Sequence, residues 1–168
     1  DALSAVGSVG SLNFLIVGSV IGLCSGFAIP VAQRFGAQDI KGLKKYVANI
    51  IYTSIVVGII FTTFAVCLAH PLLKLLNTPE EIYNDAYNYI IIIFAGIGAT
   101  MFYNLLASIV RALGDSKTPL YFLLFSSFLN VGLDLLLIIA FDMGVRGAAV
   151  ATVISQFVSG FFCLVYVK

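Results

Sequence analysis

Five long apolar segments alternate with short polar connections along the chain. They cover residues 6–32, 46–69, 87–110, 120–141 and 147–167. Each is long enough for a helix to cross the roughly 30 Å hydrocarbon core of a bilayer. None shows the alternation of apolar and polar residues, over about ten positions, that is typical of barrel strands. Backbone groups inside a bilayer must form their hydrogen bonds within the spanning structure, which leaves helices as the spanning form. We therefore predict an all-α, polytopic transmembrane bundle of five antiparallel spans.

The composition supports a membrane chain. Of the 168 residues, 61% are hydrophobic and 10% are charged, and the mean hydropathy is +1.08. Soluble domains are about 45–50% apolar and about 25% charged. The net charge of +1 says nothing about nucleic acid, but no basic patch with interleaved aromatics occurs, so we expect no nucleic-acid partner.

The candidate ligands for a metal or a disulfide are scattered. Cys24, Cys67 and Cys163 each lie alone in an apolar run, and His70 is the one histidine. Neither a zinc site nor a disulfide framework is predicted, and we expect no cofactor. The chain also lacks G-x-S-x-G, H-E-x-x-H and nucleotide-loop motifs, so we predict that it is not an enzyme.

Basic residues are distributed unequally between the two sides of the predicted bundle. Seven fall on one side: Arg34, Lys41, Lys44, Lys45, Arg111, Lys117 and Lys168. Two, Lys74 and Arg146, fall on the other. The positive-inside rule makes the first side cytoplasmic, so the first span runs inward. We predict a multi-pass protein of the bacterial cell membrane.

The fourth span contains an aspartate in the middle of an apolar run. Ser126, Asn130 and Asp134 recur at every fourth position and share one helix face. At 1.5 Å per residue, Asp134 lies about 10 Å from the outer end of its helix, too deep to reach the headgroups. A charge at that depth costs at least about 2.5–3.5 kcal/mol and marks a functional candidate. Its alternative role is structural, as a hydrogen-bonding partner of a neighbouring helix.

The fifth span supplies partners for Asp134. Thr152 and Gln156 lie on one face of it, and a hairpin centred near Gly144 places Thr152 at nearly the depth of Asp134. Together with Asn130 these groups offer oxygen ligands for Na⁺, or a desolvated carboxylate that takes up a proton. We therefore predict a cation or proton site at Asp134, Asn130 and Thr152, and no metal site beyond Na⁺ at Asp134. Further candidates for a cavity or gate are Gln156, Ser126 and Tyr103.

Glycines and prolines punctuate the remaining sequence. Gly18, Gly22 and Gly26 form one helix face that suits close helix packing. Pro30 is expected to kink the first span. Thr78 is expected to cap a helix that starts at Pro79.

The connection between the third and fourth spans has the residues of a tight turn. Gly114 suits a helix C-terminus, and Pro119 suits the first turn of the next helix. Asp115 is expected to pair with Arg111 or Lys117. We interpret this connection as a solvated cytoplasmic loop in preference to a gate.

Four stretches resemble the multidrug and toxic compound extrusion (MATE) family of secondary transporters. They are residues 26–39, 111–119, 129–134 (Leu-Asn-Val-Gly-Leu-Asp) and 144–152 (Gly-Val-Arg-Gly-Ala-Ala-Val-Ala-Thr). The resemblance implies twelve helices in two six-helix lobes, and a cation site in the N-terminal lobe at Asn130, Asp134 and Thr152. It makes this chain helices two to six of that lobe. The first helix, with its acidic residue, and the second lobe are then missing partners from the same protein. The chain lacks an initiator Met and ends after an apolar run, so we expect a piece of a longer protein.

The resemblance also implies a function. We expect an antiporter, driven by Na⁺ or H⁺, that exports drugs or other amphiphilic, often cationic compounds by alternating access. Its partners are then a small-molecule substrate and membrane lipids. Two alternatives stay open: a flippase for lipid-linked precursors with a similar fold, and a membrane subunit that does not transport.

Overall fold

The computed structural model describes residues 2–75 and 78–167. Six α-helices and one π-helical segment make up this part of the chain. They are α1 (Ala2–Gly36), α2 (Ile40–Leu75), α3 (Glu80–Ala95), α4 (Ile97–Ala112), α5 (Lys117–Leu135), the π-helical segment Leu136–Ala140, and α6 (Gly144–Val167). The all-α membrane bundle predicted from the apolar pattern is confirmed.

The third apolar segment differs from the single span expected over residues 87–110. Helices α3 and α4 meet at Gly96 with a bend of 44°. Four other helices are long and apolar enough to cross a membrane, and the bent pair is a fifth if it counts as one span. Gly96 is buried, and a Cβ there would overlap Val153 of α6. The break therefore lies where α6 crosses this helix at closest approach.

Two proline positions lie inside helices. Helix α1 continues through Pro30 to Gly36, and α2 continues through Pro71 to Leu75, beyond the predicted end at residue 69. Membrane helices tolerate such prolines because neighbouring groups satisfy the freed carbonyls. Helix α3 starts at Glu80 with Pro79 at the N-cap, and the buried hydroxyl of Thr78 has no partner in the described part of the chain. The expected Thr78 cap is therefore wrong.

The bent pair α3–α4 forms the centre of the bundle. Helices α1 and α2 pack on one side of it and α5 and α6 on the other. Its fully buried side chains include Ile90, Phe94, Ile97 and Ile109. Burying such side chains against neighbouring helices fixes the positions of α1 and α6 around this centre.

The glycine face of α1 has no close neighbour. A Cβ built at Gly18, Gly22 or Gly26 would meet no atom within 4 Å. Among the described residues, no helix therefore packs closely against this face. The face lies on the outside of this part of the bundle.

The turn between α4 and α5 is organised by Asp115. Its carboxylate accepts hydrogen bonds from the backbone N–H groups of Lys117 and Thr118, both at 3.0 Å, and from the Thr118 hydroxyl at 2.6 Å. Gly114 adopts φ +93°, as a glycine after a helix C-terminus should. The hydroxyl of Tyr166 at the end of α6 also donates to Asp115, at 2.6 Å.

These bonds replace the side-chain ion pair expected for Asp115. Arg111 instead donates to the Ser108 hydroxyl at 3.0 Å. Hydrogen bonds from the hydroxyls of Thr118 and Tyr166 hold the pKa of Asp115 well below its usual range. The carboxylate caps the start of α5 and ties the end of α6 to the same turn.

Candidate cation site between α5 and α6

Three polar contacts fix how α5 and α6 align. The Ser126 hydroxyl donates to the Ser155 carbonyl at 3.1 Å, and the Ser159 hydroxyl donates to the Phe122 carbonyl at 3.4 Å. Nearer the outer end, the Asn130 amide nitrogen donates to the Thr152 hydroxyl over a long 3.5 Å. The polar faces predicted on the two spans therefore meet.

The two residues of each pair are almost equally distant in sequence from Phe141, so the hairpin is centred near Phe141 rather than near Gly144. Thr152 consequently lies level with Asn130, one helical turn from Asp134. The expectation that Thr152 and Asp134 share a depth was off by that turn. The reason is that the chain turns before Gly144: the helix ends at Ala140, and the Met143 N–H bonds back to the Leu137 carbonyl at 3.0 Å.

Asp134 is partly buried, and its Oδ1 atom is fully buried. Within residues 2–75 and 78–167, this oxygen has no hydrogen-bond partner. A buried carboxylate oxygen without a donor is costly, and a donor or a cation at this point would lower that cost.

The π-helical segment begins two residues after Asp134. Its backbone bonding is wider than that of an α-helix, with the Phe141 N–H reaching the Leu136 carbonyl at 3.2 Å. Single π turns inside α-helices occur often at functional sites. Here the segment sets the rotation of the outer end of the helix relative to Asp134.

Two further buried amide oxygens lack partners among the described residues. One is Oε1 of Gln156, which lies one helical turn after Thr152, and the other is Oδ1 of Asn13 on α1. Gln156 was a sequence candidate, whereas Asn13 was missed. The available signal was an amide between Leu12 and Phe14 in an apolar run.

Ser126 and Tyr103 hold helices together in this structure. Ser126 is 5% exposed and bonded to α6. Tyr103 is 6% exposed, packs with Leu106 and Cys163, and donates to the Pro119 carbonyl at 3.3 Å. Neither lies beside the unpartnered oxygen of Asp134.

The chemistry of the site follows from its donor set. A carboxylate, an amide oxygen and a hydroxyl suit a hard cation such as Na⁺, with water completing the shell. Thr152 donates its proton to the Ala148 carbonyl at 3.0 Å and accepts the long bond from Asn130, which leaves one oxygen lone pair free for an ion. In the described part of the chain, no three His, Cys, Asp or Glu residues cluster as transition-metal ligands.

Comparison with known proteins identifies the family. The MatE family matches residues 1–136. The chain belongs to the MatE family. The resemblance to MATE transporters noted in the sequence is thereby confirmed, and with it the prediction that the chain is not an enzyme.

Individual MatE relatives cover the chain from end to end. The probable multidrug resistance protein YpnP of Bacillus subtilis (strain 168) is 36% identical over 166 residues, which are 99% of this chain and 37% of that protein. The probable multidrug resistance protein YoeA of the same organism is 31% identical over 172 residues, 100% of this chain and 37% of that protein. The chain therefore spans just over a third of these relatives.

A solved MatE structure has the same arrangement of helices. An inward-facing multidrug resistance MATE family transporter of the MOP superfamily matches with a TM-score of 0.93 and 27% identity. The match covers 99% of this chain and 38% of that one. The chain is thus a multi-pass membrane protein, and it has the fold of part of a MATE transporter.

Proposed function

We propose that this chain is part of a cation-coupled antiporter that exports drugs or other amphiphilic, often cationic compounds. Its helices would be helices two to six of the N-terminal lobe, with spans near residues 6–32, 46–69, 87–110, 120–141 and 147–167. The names of YpnP and YoeA support multidrug export, and the 37% share of their length supports a partial lobe. The first helix and a second lobe then complete the transporter.

In this proposal Asp134, Asn130 and Thr152 bind the coupling ion, Na⁺ or H⁺. The observation that carries it is the buried Oδ1 of Asp134, which has no hydrogen-bond donor among the described residues and lies one helical turn from the Asn130–Thr152 contact. Gln156, one turn further along α6, offers another oxygen. Ser126 and Tyr103 act from the cytoplasmic half as helix contacts that a gating movement would change.

Coupling follows from the difference between the loaded and empty site. With an ion or proton bound, the carboxylate is neutralised and the hairpin can pack in a dry environment. Without it, the charge favours an arrangement that admits water. Because binding favours one arrangement over the other, an ion gradient can drive alternating access of the two lobes.

Export is favoured over the two alternatives. The relatives are named for multidrug resistance, and their fold is that of a transporter. We therefore propose neither the flippase nor the membrane subunit that does not transport.

The decisive test measures efflux by the full-length protein in vesicles. A fluorescent cationic dye is loaded, and a Na⁺ or H⁺ gradient is imposed separately. One gradient should drive efflux in the wild type, and Asp134→Asn should reduce that efflux to the level of empty membranes. Asp142→Asn is the matched control, since Asp142 is exposed at the outer turn with φ +52°, a conformation that Asn tolerates. Full efflux by Asp134→Asn would mean that the carboxylate is structural.

The role of Thr152 can be separated from its packing. Thr152→Val keeps the shape but removes the hydroxyl, whereas Thr152→Ser keeps the hydroxyl. If the oxygen binds the ion, the valine variant should need about tenfold more ion for half-maximal efflux, and the serine variant should stay near the wild type. Equal ion requirements in both variants would remove Thr152 from the site.

A further inference from the structure

A cavity lies between α2, α4 and the C-terminal end of α6. This lateral groove has a volume of about 480 Å³ and is lined by Ser54, Gly58 and Thr62 of α2, by Gly98 and Phe102 of α4, and by Leu164 of α6. Ligand pockets in proteins typically measure about 300–1,000 Å³. The groove is therefore large enough for a small molecule.

The groove opens toward the outside of the described bundle, at membrane depth. Ile55 and Ile59 form its rim and are 56% and 62% exposed. Its wall on α2 extends from Ile51 to Thr63, about 18 Å at 1.5 Å per residue. Ser54 lies about 12 Å beyond Tyr46, where the predicted span begins, and so far from the headgroups.

Among the described lining residues, Ser54 has the buried hydroxyl that lacks a partner. Its side chain is 6% exposed, and its buried Oγ has no hydrogen bond within the described residues. Neighbouring hydroxyls behave differently: Thr53 donates to the Asn49 carbonyl at 2.9 Å and Thr63 to the Ile59 carbonyl at 2.8 Å. Hydroxyls in membrane helices usually bond in this way to the carbonyl one turn earlier. The Ser54 hydroxyl is instead available to a ligand.

The lining selects the chemistry of that ligand. All the lining residues lie in the described part of the chain, and none carries a charge. An organic cation would lose its hydration there without gaining a counterion. A phospholipid acyl chain would fill the volume but leave the Ser54 oxygen unsatisfied. The remaining fit is an apolar body with one hydrogen-bonding oxygen placed away from the headgroup level.

We propose that the lateral groove binds neutral, membrane-dissolved amphiphiles, which hydrogen-bond to Ser54 through a hydroxyl or carbonyl oxygen. The site is distinct from the candidate cation site and does not depend on ion coupling. Gly58 and Gly98 keep the groove deep, since larger side chains would project into it. A Cβ at Gly98 would meet no atom within 4 Å.

The test is photolabelling of the full-length protein in liposomes with two matched probes. One is a long-chain alkane carrying a diazirine and a mid-chain hydroxyl, and the other lacks the hydroxyl. The hydroxyl probe should label the α2 and α4 walls more strongly. Ser54→Ala should reduce its labelling about fivefold, the value of one net hydrogen bond, without changing labelling by the plain alkane. Thr53→Ala is the matched control and should change neither.

Filling the groove provides a second, independent reading. Gly98→Leu should reduce labelling by both probes, because the leucine side chain occupies the volume. Equal labelling by the two probes, insensitive to Ser54→Ala, would identify a groove for lipid chains and overturn the proposal. Absence of any label on these walls would show that another segment covers the groove, and would also overturn it.

Discussion

Asp115 and Asp134 lie at the two ends of α5 and have opposite surroundings. Asp115 precedes the helix at the cytoplasmic turn and accepts hydrogen bonds from two backbone N–H groups and two hydroxyls. Asp134 lies near the other end, inside the membrane, with a buried oxygen that no described group satisfies. The carboxylate of Asp115 is thus fully hydrogen-bonded, whereas Oδ1 of Asp134 has no hydrogen-bond partner among the described residues.

Under the proposed function, this difference separates a structural carboxylate from one that binds an ion or proton. Around Asp115 the bonds come from the protein itself, so the charge is stabilised in every state that keeps the turn. At Asp134 no described group supplies such bonds, and under the proposed function the ion or proton that binds there stabilises the charge. Depth in the membrane makes the second arrangement costly, which is why it marks function more reliably than charge alone does.

The largest expected effect contrasts the two aspartates by ion binding. At a concentration a hundredfold above its Kd, an ion that binds only the native state adds about 2.7 kcal/mol of stability. Thermal unfolding of the purified full-length protein should show this gain with the coupling ion in the wild type and in Asp115→Asn. Asp134→Asn should show none. An equal gain in stability for Asp134→Asn would mean that the ion binds elsewhere, and that the two aspartates do not differ in ion binding.

The next effect tests how the bundle positions the binding end. Gly96→Ala would push its Cβ into Val153, which follows Thr152 on α6 and has a stiff, branched side chain. We expect a loss of about 1–3 kcal/mol in the free energy of unfolding, together with reduced efflux. Gly98→Ala is the matched control, because its Cβ meets open space. Equal stability of the two variants would mean that the close approach at Gly96 does not position α6.

A smaller effect is expected at Asp115, where the charge stabilises the turn between α4 and α5. Asp115→Asn should lower Tm by a few degrees at pH 7, because the amide accepts these hydrogen bonds less strongly. The pKa of Asp115 is depressed in the folded protein, so its contribution is present above the unfolded value of about 3.9 and is lost as the pH falls toward the folded value. The Tm difference from the wild type should therefore narrow below about pH 4. A difference independent of pH would show that the charge is not what stabilises the turn.

The smallest effect concerns the link between the turn and α6. Tyr166→Phe removes one of the bonds to Asp115 and should lower Tm by less than Asp115→Asn does. The double variant should lose less than the sum, since both changes remove the same interaction. Full additivity, measured in the same unfolding experiments, would mean that the two side chains act independently.

Much of the fold was predictable because its signals are local. The length of the apolar segments predicted the helices. Gly114 predicted the turn because glycine readily adopts the positive φ needed after a helix C-terminus. Ser126, Asn130 and Asp134 share a face through helical spacing alone. That spacing was sufficient to predict a polar seam between the last two spans.

The features that escaped prediction depend on contacts between distant residues. The break at Gly96 depends on Val153, and the bonding of Asp115 depends on Tyr166. The alignment of the hairpin shifted by one turn because the chain reverses between Ala140 and Gly144 rather than around Gly144, which no apolar pattern reveals. Ser54 was missed since hydroxyls in membrane helices normally bond to their own backbone.

The open glycine row of α1 can serve as a reporter of the rest of the transporter. In a helix interior, Gly→Ala stabilises by up to about 1 kcal/mol when nothing opposes the added methyl group. No atom of the described residues lies within 4 Å of the added methyl group at Gly18, Gly22 or Gly26. Each glycine of this face can therefore be replaced by alanine in the full-length protein, and the change in the free energy of unfolding measured. An increase in stability indicates a glycine that faces lipid. A decrease indicates close contact with a helix from outside this chain. Three substitutions thus map where the neighbouring segment crosses.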